Sequence, residues 1–345
     1  MIPFDPIIFA VLIAGLYMAW NIGANDLANA MGTSVGSGAL NIKQVIILAG
    51  TLELLGAVFF GSHVTKTIAN GIVPIDTIIQ SNPHIVVLGA LSAILAAGFW
   101  ITFATFYHLP VSTTHSIVGA MLGFGLASVT YGFISITSIK WVVLMKIVAS
   151  WIISPILGGI LAFIIFSIIR YFLQRSEFPV KFERTFGYLQ IASAGYVAFA
   201  HGSNDVGNAV GPLSTALSAL NLIDNGQTPT WILIVGGVGI VIGLATWGTR
   251  VIKTIGCGIT ELTPTRGFSA EFATATIVIL HSYSSLPIST THVLVGSVIG
   301  VGLAGGLASV DLSMIGKIFV SWVITVPVTA LTSAIIFMGL MGAGI

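Results

Sequence analysis

Charge is what this chain has least of. Only 7% of its 345 residues are Asp, Glu, Lys or Arg, 56% are hydrophobic, and the mean hydropathy is +1.04. A soluble domain carries about 25% charged residues, so a water-soluble enzyme or binding module is excluded. The formal net charge of +1 offers no basic face to nucleic acid and calls for no acidic partner. The lone cysteine, Cys257, excludes an internal disulfide. No Lys or Arg precedes Lys43, so the N-terminus lacks the basic n-region of a cleaved signal peptide and reads as a retained first membrane segment. Walker loops and dinucleotide fingerprints are also missing, which argues against ATP drive within the chain.

What is there is oil in long runs. Apolar stretches fall near 6–20, 45–62, 85–107, 111–130 and 141–169, and again near 188–200, 231–249, 270–286, 287–307 and 314–343. A bilayer-spanning helix needs roughly 17 to 25 such residues, and no period-two alternation suggests a barrel. The fold expected is therefore an all-α polytopic membrane protein of about 10–12 membrane segments. The stretches at 141–169 and 314–343 are long enough for tilted spans or for two segments each. Between the two groups lies a polar linker holding Arg170, Arg175, Lys181 and Arg184, four of the twelve basic residues. This divides the chain into a first repeat at 1–169, a linker at 170–187 and a second repeat at 188–345. The basic linker is expected in the cytoplasm. If each half crosses an odd number of times, the halves are inverted and both termini lie outside.

The halves carry the same landmarks in the same order. Gly23-Ala24-Asn25-Asp26-Leu27-Ala28-Asn29-Ala30 returns as Gly202-Ser203-Asn204-Asp205-Val206-Gly207-Asn208-Ala209. Pro110-Val111-Ser112-Thr113-Thr114-His115 returns as Pro287-Ile288-Ser289-Thr290-Thr291-His292. Lys66-Thr67-Ile68 returns at Lys253-Thr254-Ile255, and Ser150-Trp151 at Ser321-Trp322. Internal duplication follows. The Asn-Asp regions, 21–40 and 201–222, are rich in Gly, Ser, Thr and Asn and read as broken or re-entrant helices, which membranes tolerate where protein or a cavity covers the backbone.

On a helix, Asn25, Asp26 and Asn29 share a face, as do Asn204, Asp205 and Asn208. A carboxylate with amide and carbonyl oxygens suits a hard cation such as Na⁺. An Asp centred in a membrane helix costs about 2.5–3.5 kcal/mol, yet neither box contains Lys or Arg, so a cation from solution is the simplest partner. Helix capping in a surface loop is the plain alternative, and it explains one box better than two. In the second pair of boxes, proline favours a helix start. Ser112, Thr113, Thr114, Ser289, Thr290 and Thr291 then decorate two helix N-termini, where free N–H groups and hydroxyls can bind an anion or serve only as caps. His115 and His292 are expected as packed, hydrogen-bonded imidazoles, with proton exchange as the lesser alternative. A Ser112–His115 nucleophilic pair lacks an orienting acid, which places a hydrolase well below a transporter. Glu53 and Glu271 lie in apolar runs without counterparts, since the repeat alignments set Ile240 opposite Glu53 and Ile94 opposite Glu271. Each is a candidate extra cation ligand or proton acceptor, although Arg266 nearby allows Glu271 a watery helix mouth. Lys66, Lys253 and Arg250 read as snorkelling side chains.

The doubled Asn-Asp box and the doubled Pro-Val/Ile-Ser-Thr-Thr-His box resemble the inorganic phosphate transporter family, which includes the type III sodium–phosphate cotransporters. The resemblance runs from about residue 10 to the C-terminus. It implies phosphate symport with Na⁺ or H⁺, inverted repeats, extracellular termini, a homodimer and no covalent cofactor. By position, Asp26 and Asp205 match essential acids of that family, Ser112 and Ser289 its phosphate-site serines, and Glu53 and Glu271 its important glutamates. The large central cytoplasmic domain of the eukaryotic members is absent, which points to a prokaryotic plasma membrane. The expected function is sodium-coupled phosphate import. Its rivals are proton-coupled phosphate or sulfate symport and, in another class, a passive anion channel.

Overall fold

The computed structural model describes residues 6–224, 226–252, 262–306 and 312–344. Lys253-Thr254-Ile255 and Cys257 lie outside the described residues. Among the described residues there is no strand, and the α-helices whose bounds lie wholly within them are α1 (Pro6–Gly36), α2 (Ile42–Asn70), α3 (Ile75–Ser81), α4 (Pro83–Phe106), α5 (Thr113–Thr130), α6 (Trp141–Gln174), α7 (Pro179–Ala219), α8 (Thr230–Trp247), α9 (Pro264–Tyr283), α10 (Thr290–Gly305) and α11 (Leu312–Gly342). Six of these are long and apolar enough to cross a bilayer. The others are short or interrupt their apolar faces with polar residues.

Both Asn-Asp boxes sit inside unbroken helices, α1 and α7. Their polar composition resembles a loop, yet Asn25, Asp26, Asn204 and Asp205 are fully buried and find partners for their side chains on other helices and at the helix starts, so the backbone has no reason to leave the helix. The interruptions fall elsewhere, between α4 and α5 and between α9 and α10. At each, one residue adopts the left-handed conformation: His108 (φ 59°) and Ser285 (φ 57°), which occupy equivalent places in the two repeats. That conformation costs a non-glycine residue roughly 1–2 kcal/mol. It turns the chain so that Ser112 and Ser289 can begin new helices in the interior. The long stretches at 141–169 and 314–343 are each a single helix containing one proline, Pro155 in α6 and Pro327 in α11.

Membrane helices pack through small residues, because lipid gives no hydrophobic drive between them. Two crossings show this most sharply. A Cβ at Gly23 would fall 1.9 Å from the Ile240 carbonyl oxygen, and one at Gly202 would fall 2.0 Å from that of Glu53. Only glycine lets α1 lie against α8, and α7 against α2, at those points. Helices α1 and α7 thereby enter the centre, where α5 and α10 begin.

Candidate functional site

The first asparagine of each box holds a backbone break. Asn25 Nδ2 donates to Thr105 Oγ1 (2.9 Å) and to the Leu109 carbonyl (3.1 Å), while Asn25 Oδ1 accepts from the Val111 amide (3.2 Å). In the other repeat, Asn204 Nδ2 donates to the Ile288 carbonyl (2.8 Å) and its Oδ1 accepts from the Ile288 amide (3.3 Å). Val111 and Ile288 are equivalent positions just ahead of α5 and α10. These two amide oxygens are therefore engaged in fixing the chain that leads to each helix start.

The second asparagine of each box ties one repeat to the other. Asn29 Nδ2 donates to Asp26 Oδ1 (2.6 Å) and to Thr291 Oγ1 (2.7 Å). Asn208 Nδ2 donates to Asp205 Oδ1 (2.8 Å) and to Thr114 Oγ1 (3.2 Å). Thr114 and Thr291 in turn donate to the Ile288 and Val111 carbonyls, at 3.0 and 3.3 Å. The helix start of each repeat is thus held by the Asn-Asp box of the other. Asn29 Oδ1 and Asn208 Oδ1, again equivalent atoms, are buried and accept no hydrogen bond.

The two aspartates converge on one place. Thr113 Oγ1 lies 2.9 Å from Asp26 Oδ2 and 3.0 Å from Asp205 Oδ1; a hydroxyl has one proton and serves one of them at a time. His201 completes the cluster, with Nε2 3.5 Å from both Asp26 Oδ2 and Asp205 Oδ2, and Nδ1 3.2 Å from Glu53 Oε1. All five side chains are buried. Three carboxyl groups thus face one imidazole, and no Lys or Arg forms an ion pair with them among the described residues. Sequence reasoning passed over His201. It stands just ahead of the box, one helical turn before Asp205, and its equivalent in the first repeat is Ile22. That break in the repeat was the available signal.

Glu271 forms a separate polar centre. Its Oε1 accepts from Thr33 Oγ1 (2.6 Å), Ser34 Oγ (2.6 Å) and Gln190 Nε2 (3.1 Å), and its Oε2 accepts from Ser193 Oγ (2.6 Å). It is fully buried, so the watery helix mouth is not where it sits. Ser112 Oγ and Ser289 Oγ accept from the backbone amides of His115 and His292, at 3.1 and 3.2 Å, and so cap α5 and α10. The Ser112–His115 contact therefore runs to the backbone, while the His115 ring packs on Trp151 with centroids 3.6 Å apart. Thr290, the counterpart of Thr113, is buried but bonds to neither aspartate. Lys66 and Arg250 are exposed, away from the cluster.

The arrangement can do two things. Donor-free oxygens from Asn29 and Asn208 beside two aspartates fit a hard cation, whose ligands are oxygens carrying partial or full negative charge. Two capped helix starts, brought together from opposite repeats, offer N–H groups and hydroxyls suited to an anion.

Comparison with known proteins gives concordant matches. The sequence profile described as the phosphate transporter family matches residues 22–333. A putative phosphate permease of Pyrococcus horikoshii is 40% identical, with both chains covered over 100% of their length. The inorganic phosphate transporter 2-1, chloroplastic, of Arabidopsis thaliana is 40% identical over 95% of this chain and 71% of its own. A solved structure titled the sodium-dependent phosphate transporter superposes with a TM-score of 0.88 at 36% identity, covering 98% of this chain and 99% of that one.

Proposed function

Starting from the fact that the chain belongs to the phosphate transporter family, we propose that it imports inorganic phosphate by symport with sodium. The observation that carries this reading is the pair of equivalent, donor-free amide oxygens, Asn29 Oδ1 and Asn208 Oδ1, beside two buried aspartates that share one hydroxyl proton. With Asp26, Asp205 and Glu53 ionised, a single imidazole cannot balance them. Sodium ions at Asp26–Asn29 and Asp205–Asn208 supply the missing charge. Of the six box residues read as metal ligands, Asn25 and Asn204 act on this account by holding the breaks ahead of α5 and α10, not by binding the ion.

Phosphate then lies between the starts of α5 and α10, among Ser112, Thr113, Thr114 and Ser289, Thr290, Thr291; Ser112, Ser289 and Thr290 donate to it with the free amides of each first turn, while Thr113, Thr114 and Thr291 hold the two starts in place. The anion is held there by N–H and hydroxyl donors and not by lysine or arginine, while the sodium ions keep the neighbouring carboxylates from repelling it. Each ligand favours the other, and such coupling is reciprocal. With two Na⁺ and a monovalent phosphate, one net positive charge enters per cycle, and 100 mV of inside-negative potential adds about 2.3 kcal/mol of drive. Glu271, held by four donors, acts as a separate coupling group. The two repeats are inverted, the linker is cytoplasmic and the termini are extracellular. The protein works as a homodimer in a prokaryotic plasma membrane.

Radiolabelled phosphate uptake into proteoliposomes tests this. Inward sodium gradients should drive accumulation above the external concentration, and potassium should not. The presence of His201 among the acids favours one second reading, coupling to protons. Uptake indifferent to sodium but driven by external acid would select it, and uptake that only equilibrates would select a channel.

A further inference from the structure

We infer that His292 is a positioning residue, whose imidazole replaces a hydrogen bond that Pro155 removes from α6 and so fixes the start of α10. The inference rests on the reading of that helix start as part of the phosphate site. In a regular helix the N–H of residue 155 would bond to the Trp151 carbonyl. Proline has no N–H, and Pro155 lies inside α6. At membrane depth, water does not make up the loss. His292 does: its Nδ1 lies 3.2 Å from the Trp151 carbonyl oxygen, which requires the proton to be on Nδ1. The same turn of α6 reaches the box twice, because Ser150 Oγ lies 3.5 Å from the Pro287 carbonyl.

The joint is one-sided, although the sequences around it are paired. Four rings stand in a row across the two repeats, with centroid distances of 3.6 Å for Trp151–His115, 4.3 Å for His115–His292 and 3.6 Å for His292–Trp322. In α6 the proline follows the tryptophan by four residues, whereas in α11 Pro327 follows Trp322 by five. Pro327 therefore frees the Val323 carbonyl, and Trp322 keeps the Val326 N–H as its helical partner. His115 approaches the Trp322 carbonyl in the matching way, yet neither of its buried ring nitrogens completes a hydrogen bond to it. One histidine bonds a carbonyl that a proline leaves without its helical N–H, and its counterpart faces a carbonyl that keeps one. Through His292, the proline-containing turn of α6 sets where Ser289, Thr290 and Thr291 stand relative to the facing box.

The test is a mutant cycle on the full-length protein, read as phosphate KM and maximal rate in proteoliposomes and as Tm in detergent. His292→Phe keeps the ring and loses the donor. It should raise KM by roughly five- to tenfold, the worth of one buried hydrogen bond, lower Tm and leave the maximal rate. Pro155→Ala should be near wild type. Adding it to His292→Phe should restore both KM and Tm, because the new N–H takes up the Trp151 carbonyl. His115→Phe should change neither. Additive losses in the double variant, or equal damage from His115→Phe, would overturn the inference. The Tm cycle needs no transport, so it decides the joint even if phosphate proves not to be the substrate.

Discussion

The crossing of α7 with α2 and the crossing of α1 with α8 share one backbone plan and carry opposite chemistry. In the first, Gly202 lies on the Glu53 carbonyl; in the second, the equivalent Gly23 lies on the Ile240 carbonyl. Beside Gly202 stands His201, 3.2 Å from the Glu53 carboxylate. At the matching positions, Ile22 and Ile240 are both fully buried. At one crossing an imidazole from the second repeat meets an acid from the first, and at the other the two equivalent positions are both isoleucine, so neither member is swapped alone. The isoleucine pair demonstrates that packing at this crossing needs no charge. On the proposed reading, the His201–Glu53 pair acts on the aspartates and gives one side of the site a group that the other lacks.

The comparison can be broken at several levels. The largest effect belongs to the centre, which both crossings support: Asp26→Asn and Asp205→Asn should each abolish sodium-driven uptake in proteoliposomes. Next comes the pair. His201→Ile alone leaves three buried carboxyl groups without their imidazole and should cost about 3–5 kcal/mol in detergent unfolding, whereas adding Glu53→Ile should recover part of that loss. The double variant should fold and yet fail to transport; active transport in it would show the pair to be dispensable. The crossings themselves should respond alike, with Gly23→Ala and Gly202→Ala each destabilising by about 1–3 kcal/mol through overpacking. A large difference between them would mean that the shared backbone plan is not shared in energy. Smallest is Asp76→Asn in the exposed first turn of α3, which should shift stability by about 0.5 kcal/mol or less and leave uptake unchanged.

Much of the architecture was legible because the chain states it twice. The doubled boxes pointed to the residues that meet at the centre, and the proline–serine starts of α5 and α10 announced their caps. Three things were hidden. The division of labour within the Asn-Asp box depends on partners far along the chain: Asn25 binds the Val111 amide, whereas Asn29 reaches Thr291 in the other repeat, and no local spacing distinguishes them. The helical continuity of α1 and α7 was masked by composition, since a polar run looks like a loop until its partners are known to be inside. His201 escaped because attention to what the repeats share hides what only one of them has. Glu53 and Glu271 were both marked as unmatched acids, but their surroundings differ: Glu53 faces an imidazole, and Glu271 sits among four hydroxyl and amide donors.

The most direct measurement is equilibrium binding of radioactive sodium to the purified protein, titrated with and without phosphate. Completion of the Asp26–Asp205 cluster by sodium predicts saturable binding that phosphate tightens, by a factor within the roughly 5- to 150-fold range of site-to-site coupling, and that Asp26→Asn and Asp205→Asn each weaken. Sodium binding that ignores phosphate, or that survives both substitutions unchanged, would contradict it.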